Sequence, residues 1–124
     1  MKTAVIVVDM LKDNLREGNH PGARDQAKAI IPNINRLTAI ARRNNLPVIF
    51  ANDSFLPGDF IFQGRMKEHA LRGTEGAQII DDLCRGAGDI QLPKRRFSAF
   101  FKTDLDQTLR LHGVGGVAIA GINS

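Results

Sequence analysis

A chain of 124 residues fits one domain with room for a core that needs neither disulfides nor metals. Apolar residues at 43%, charged residues at 24% and seven aromatics, all Phe, exclude a disordered or low-complexity protein. The net charge of +4 comes from basic residues that are scattered except at Lys94, Arg95 and Arg96, so no nucleic-acid partner is expected.

The N-terminus, "MKTAVIVVDML", holds an apolar run too short for a signal peptide core or a membrane span. With the lone Cys84, which excludes a disulfide within the chain, this points to a reducing cytoplasm and no membrane partner. "TAVIVVD" is continuous and β-branched, the pattern of a strand covered on both faces in a parallel sheet. Asp9 lies just past it, and on position alone is either a general base or a loop carboxylate.

Ile30, Ile34, Leu37 and Ala41 then mark one face of a helix over about residues 26 to 44, with Pro32 expected to set its regular start. "LPVIFAND" at 46 to 53 reads as a second strand, followed by a long connection, 54 to 68, of the length that often serves as a lid. Thr74 predicts the cap of a short helix carrying Ile79, Ile80 and Leu83, with Gly86 after its end and Cys84 as a small packed residue. "DIQL" at 89 to 92 is a weak third strand, so Lys94 would lie beyond it, as a solvated cation or as one facing the same edge as Asp9.

Thr103 and Asp106 have the spacing of a capping box for a helix ended by Gly113, and "GGVAIAG" at 115 to 121 is a fourth buried strand. Gly113, Gly115 and Gly116 enter that strand instead of leaving it, so they are turn residues and not a phosphate loop. That argues against a flavodoxin-like nucleotide module. His20, His69 and His112 share no metal-binding spacing; His69 is read as a structural hydrogen-bonding group and His112 as a helix-end cap.

The order predicts an α/β fold: a doubly wound, mainly parallel, Rossmann-like sheet with strand order 3-2-1-4 and helices on both faces. Ligands in such sheets bind beyond the carboxyl ends of the strands where the order reverses, here beside Asp9 and residues 121 to 124.

Five segments in this order, "AVIVVDMLKDN", "VIFANDSF", "HALRGTEGAQI", "LPKRRFSAFFKTDLDQTL" and "GVAIAGINS", resemble the isochorismatase-like cysteine hydrolases. The resemblance implies a catalytic Asp9 and Lys94, with the nucleophilic Cys shortly beyond Ser124, so that residues 1–124 form a single hydrolase domain incomplete at its C-terminus and inactive as they stand. It implies an oxyanion segment at Gly121, Ile122 and Asn123 with a cis peptide between the last two, and substrate placement by Asp53, Phe55 and Phe60. Phe55 stands where metal-dependent relatives carry a His, so neither metal nor other cofactor is implied. The expected activity is cleavage of a C–N bond in a small amide or carbamoyl compound by a homo-oligomer. Cleavage of a vinyl ether without the Cys, or a non-catalytic subunit that keeps the fold, are the alternatives.

Overall fold

The computed structural model describes residues 2 to 16, 23 to 64 and 66 to 122. Four parallel strands, β1 (Lys2–Val8), β2 (Val48–Asp53), β3 (Ile90–Lys94) and β4 (Val114–Gly121), lie in the order β3-β2-β1-β4. The two inner strands are the continuous apolar runs, as their burial on both faces requires. On one face, α1 (Ala23–Arg43) covers Val5, Val7, Val48 and Phe50. On the other, α2 (Leu105–Leu111) sets Leu105 against Ala4, Ile6, Ile49, Ala51 and Leu92. Among the described residues no helix is long and apolar enough to cross a membrane.

α1 begins well before Pro32, contrary to the sequence expectation, and its buried stripe is Ala27, Ile31, Ile34, Thr38 and Ala41. Ile30 and Leu37 only flank that stripe. A proline inside a helix costs about 3 kcal/mol through the lost N–H and ring clash. Burial of Ile31 and Ile34, one on each side of it, contributes about 1.5–3 kcal/mol apiece and offsets that loss.

The helix expected after Thr74 is absent. The chain makes a 3-10 turn over Glu75–Ala77 and then runs extended, pairing antiparallel with the segment after β1. Lys12 N–H donates to the Gln78 carbonyl at 3.0 Å, and Ile80 N–H to that of Met10 at 3.0 Å. Thr74 Oγ1 donates to the Leu71 carbonyl and caps nothing. Tertiary pairing has overridden local helix propensity here. Side chains of α1 hold the stretch that follows: Asn35 bonds the backbone of Asp82 and Cys84, and Arg42 grips Asp89 through two hydrogen bonds of 3.0 and 2.7 Å. Cys84 is exposed and not packed as the sequence suggested.

α2 also starts differently. Asp104 occupies its N-cap position, Thr103 Oγ1 accepts from Leu105 N–H at 3.3 Å, and Asp106 pairs with Arg110 instead of closing a capping box. Gly113, with φ of 65°, turns the chain into β4 as expected.

Gly121 ends β4 with φ of 116°, and a Cβ at that position would lie 2.2 Å from the Val8 carbonyl oxygen. Only glycine allows the ends of β4 and β1 to approach this closely. Ile122 N–H then donates to the same carbonyl at 3.0 Å, fixing the chain beside Asp9.

Among the described residues β4 lies at the edge of the sheet. Its Ala118 and Ala120 pack toward α1, while Val117 is 42% and Ile119 68% exposed on the opposite face. An open edge with an apolar face is a template for pairing with another chain. Residues 1 to 124 expressed alone are therefore expected to self-associate in size-exclusion chromatography, and Ile119→Lys to shift the profile toward monomer. A monomeric parent would contradict this.

Candidate active site

β3 extends two residues beyond its sequence reading and ends on Lys94, which is in register with Asp53 at the end of β2. Pro93 is tolerated because β3 is an edge strand. The register turns Lys94 and Asp53 to the same face, opposite α1. Asp9 joins them from the turn after β1, where it has φ of 56°, a left-handed conformation that Asp tolerates better than most residues. The turn is held by Asn14 Nδ2 and Leu11 N–H, which both donate to the Asp9 carbonyl at 2.9 Å.

The result is a buried three-residue charge cluster. Lys94 Nζ donates to Asp9 Oδ2 at 3.1 Å, to Asp53 Oδ1 at 2.5 Å and to the Arg96 carbonyl at 3.3 Å, which uses all three ammonium donors. Asp9 Oδ1 accepts from Asp53 N–H at 2.8 Å. Exposure of Asp9, Asp53 and Lys94 is 0, 3 and 1%. Burial first, and then the neighbouring Asp9, push the Asp53 carboxyl up to about 6, against the lowering effect of Lys94. Two carboxylates thus share one cation, and the cluster can hold or release a proton near neutrality. A buried lysine at this place would also favour the anion of any nucleophile brought beside it.

Asp53, expected to face substrate, is bonded instead to Lys94. The difference lies in the length of β3, since a strand ending at Leu92 would leave Lys94 out of register with β2. Phe55 was also expected to touch substrate, but it is fully buried, its ring edge-on to Phe62 at 5.1 Å and His69 at 5.7 Å. It has no free face for a ligand and instead fixes the connection that follows. His69 keeps a structural part, with Nδ1 at 3.0 Å from the Lys67 carbonyl.

Phe60 stays 69% exposed, under the guanidinium of Arg96 at 5.6 Å from the ring centre. It lines an open pocket of ≈ 640 Å³ together with Ile61, Gln63, Met66, Arg96 and Phe97. Arg95 pins this connection by a two-point ion pair with buried Asp59, whose carboxyl is lowered to about 2, chiefly by that hydrogen bonding. A second pocket of ≈ 550 Å³ opens by the β3 edge, lined by Phe50, Asn52, Gln78, Ile79 and Gln91. Gly121 and Ile122 lie against Val8, next to Asp9. The expected cis bond to Asn123 falls outside the described residues. Among these residues no group of three or more His, Cys, Asp and Glu side chains is arranged to hold a metal ion.

Comparison with known proteins adds what geometry alone does not. A family model described as the isochorismatase domain matches residues 3–124. The chain is 31% identical to a probable inactive nicotinamidase of Arabidopsis thaliana, covering 98% of this chain and 66% of that protein. It is 32% identical to the ureidoacrylate amidohydrolase RutB of Serratia proteamaculans, covering 98% and 58%. Among solved structures, N-carbamoylsarcosine amidase of Thermoplasma acidophilum superposes with a TM-score of 0.83 at 32% identity, covering 98% of this chain and 68% of that one. The chain thus spans somewhat under two thirds of the length of these two curated relatives.

Proposed function

The chain belongs to the isochorismatase family, a family of hydrolases with amidohydrolase members, and on that premise we propose that it cleaves a C–N bond in a small carboxamide or carbamoyl compound. The observation that carries this reading is the buried cluster in which Lys94 is bonded to both Asp9 and Asp53, at the strand ends where β1 and β4 meet. In the proposed reaction a Cys beyond Ser124 supplies the nucleophile. Asp9 takes the thiol proton and Lys94 favours the thiolate, which attacks the carbonyl carbon. Backbone N–H groups of the segment that follows Ile122, whose own N–H is held by the Val8 carbonyl, receive the developing oxyanion, the C–N bond breaks, and ammonia or an amine leaves with a proton returned from Asp9. Water then hydrolyses the thioester and restores the thiol.

Two relatives whose names specify amide or carbamoyl substrates, ureidoacrylate and N-carbamoylsarcosine, support this substrate class. The setting proposed is cytoplasmic and homo-oligomeric, with the small molecule as ligand. A second reading, a non-catalytic protein that keeps the fold, is favoured by the relative described as a probable inactive nicotinamidase. Ammonia release by the full-length protein from a panel of small carboxamides and N-carbamoyl compounds separates the two. Turnover of at least one compound, with a thioester adduct visible by mass spectrometry, is expected. A folded protein that releases ammonia from none of them supports the second reading.

A further inference from the structure

The guanidiniums near the strand ends fall into two groups: those neutralised by a carboxylate and those, Arg72 on Ser54 and Arg96, bonded to neutral oxygens, of which Arg96 alone lines the Phe60 pocket. Arg95, Arg42 and Arg110 each pair with a carboxylate, of Asp59, Asp89 and Asp106, and Arg16 pairs with Asp13. Arg96 donates through Nη1 to the Arg95 carbonyl at 3.0 Å; it feels Asp59 only through space, that carboxylate being bonded by Arg95, and among the described residues it makes no direct ion pair. Its guanidinium stands over the Phe60 ring, half-buried, in a pocket whose other walls are largely apolar: Ile61, Met66 and Phe97. Its own carbonyl accepts from Lys94 Nζ at 3.3 Å, so the same residue touches the charge cluster through its backbone and the pocket through its side chain.

We propose that Arg96 is a specificity-determining residue that binds a carboxylate on the substrate, the apolar pocket taking the body of the molecule and the amide or carbamoyl end reaching the Lys94 cluster. The inference rests on the amide-hydrolase reading above. A guanidinium presents paired N–H donors that match a carboxylate, and stacking on an aromatic ring fixes its plane in advance. Partial burial among apolar side chains strengthens the pairing relative to open water. An uncharged substrate of the same shape would leave the cation unpaired, so the pocket discriminates by charge.

The test compares full-length parent, Arg96→Met and Arg96→Lys. For turnover, an N-carbamoyl amino acid is set against the N-carbamoyl amine lacking its carboxyl group. Arg96→Met should lower kcat/KM for the acid by about tenfold to a hundredfold, through KM, and change it far less for the neutral compound, so that the preference for the acid is lost, with partial recovery in Arg96→Lys. For binding, NMR titrations with benzoate and with benzyl alcohol need no turnover: benzoate should bind the parent more tightly, and Arg96→Met should remove that preference. Benzoate bound equally by parent and Arg96→Met, or no better than benzyl alcohol by the parent, overturns the proposal. Loss of the benzoate preference in Arg96→Met, with no amide hydrolysed by any variant, keeps the carboxylate site and removes the hydrolase reading instead.

Discussion

In the full-length protein Asp9→Asn should lower kcat/KM toward its best amide substrate by at least about a hundredfold while leaving the fold intact, as expected for loss of a proton-transferring group. The structure explains why folding survives. Asp9 Oδ1 accepts from Asp53 N–H and Oδ2 from Lys94, and an asparagine oxygen can keep one of these two bonds. Lys94 retains Asp53 as a counter-ion, so the remaining pair is neutral. Removing Asp9 also removes one of the causes that raise the Asp53 pKa, which favours its ionised form beside Lys94. Circular dichroism and thermal melting should therefore show a small loss of stability, against a large loss in steady-state kinetics. Full activity in Asp9→Asn would leave Asp9 as a structural partner of Lys94 and would remove it from the proton transfer.

The parts of this site that could be read from the sequence are those whose signal is local. "TAVIVVD" and "LPVIFAND" are apolar on both faces because both faces are covered, and their burial is continuous in the fold. The strand order followed from chain order and right-handed crossovers, and Asp9 and Lys94, left open by position alone, were singled out by family resemblance. What could not be read is set by contacts across the chain. Asp53 meets Lys94 through a register that Gln91 and Pro93 disguise, since neither is typical of a buried strand. The stretch after Thr74 carries a helical pattern but pairs with residues 10 to 13, where Asp13 leaves no room for a side chain at Gly76. Phe55 stands in a polar motif, "NDSF", yet its backbone bonds to Ala70 and Arg72 draw it into the core.

Lys94→Met should be the most destabilising single change in the cluster, by about 3–5 kcal/mol near pH 7.5, because it leaves two buried carboxylates facing each other without their cation. That is a large fraction of the ~5–15 kcal/mol that holds a typical domain folded. The loss must depend on pH. In the parent the Asp53 carboxyl is already raised from 3.8 to about 6, with burial and Asp9 raising it and Lys94 opposing them. A raised carboxyl binds its proton more tightly in the folded than in the unfolded chain. Its stabilising contribution is therefore complete below the unfolded value of 3.8 and is lost as pH rises through the folded value of about 6. Without Lys94 the opposing influence is gone and the folded value moves higher still. Urea unfolding of Lys94→Met should accordingly show stability recovered on going from pH 7.5 to pH 5, where a shared proton can replace the missing cation. The parent should change less over the same range. Adding Asp53→Asn to Lys94→Met removes one of the two anions, and should restore much of the stability at pH 7.5 and flatten its pH dependence, without restoring turnover. A Lys94→Met protein as stable as the parent at pH 7.5, or one indifferent to Asp53→Asn, would mean that the two carboxylates do not both depend on Lys94 for their charge.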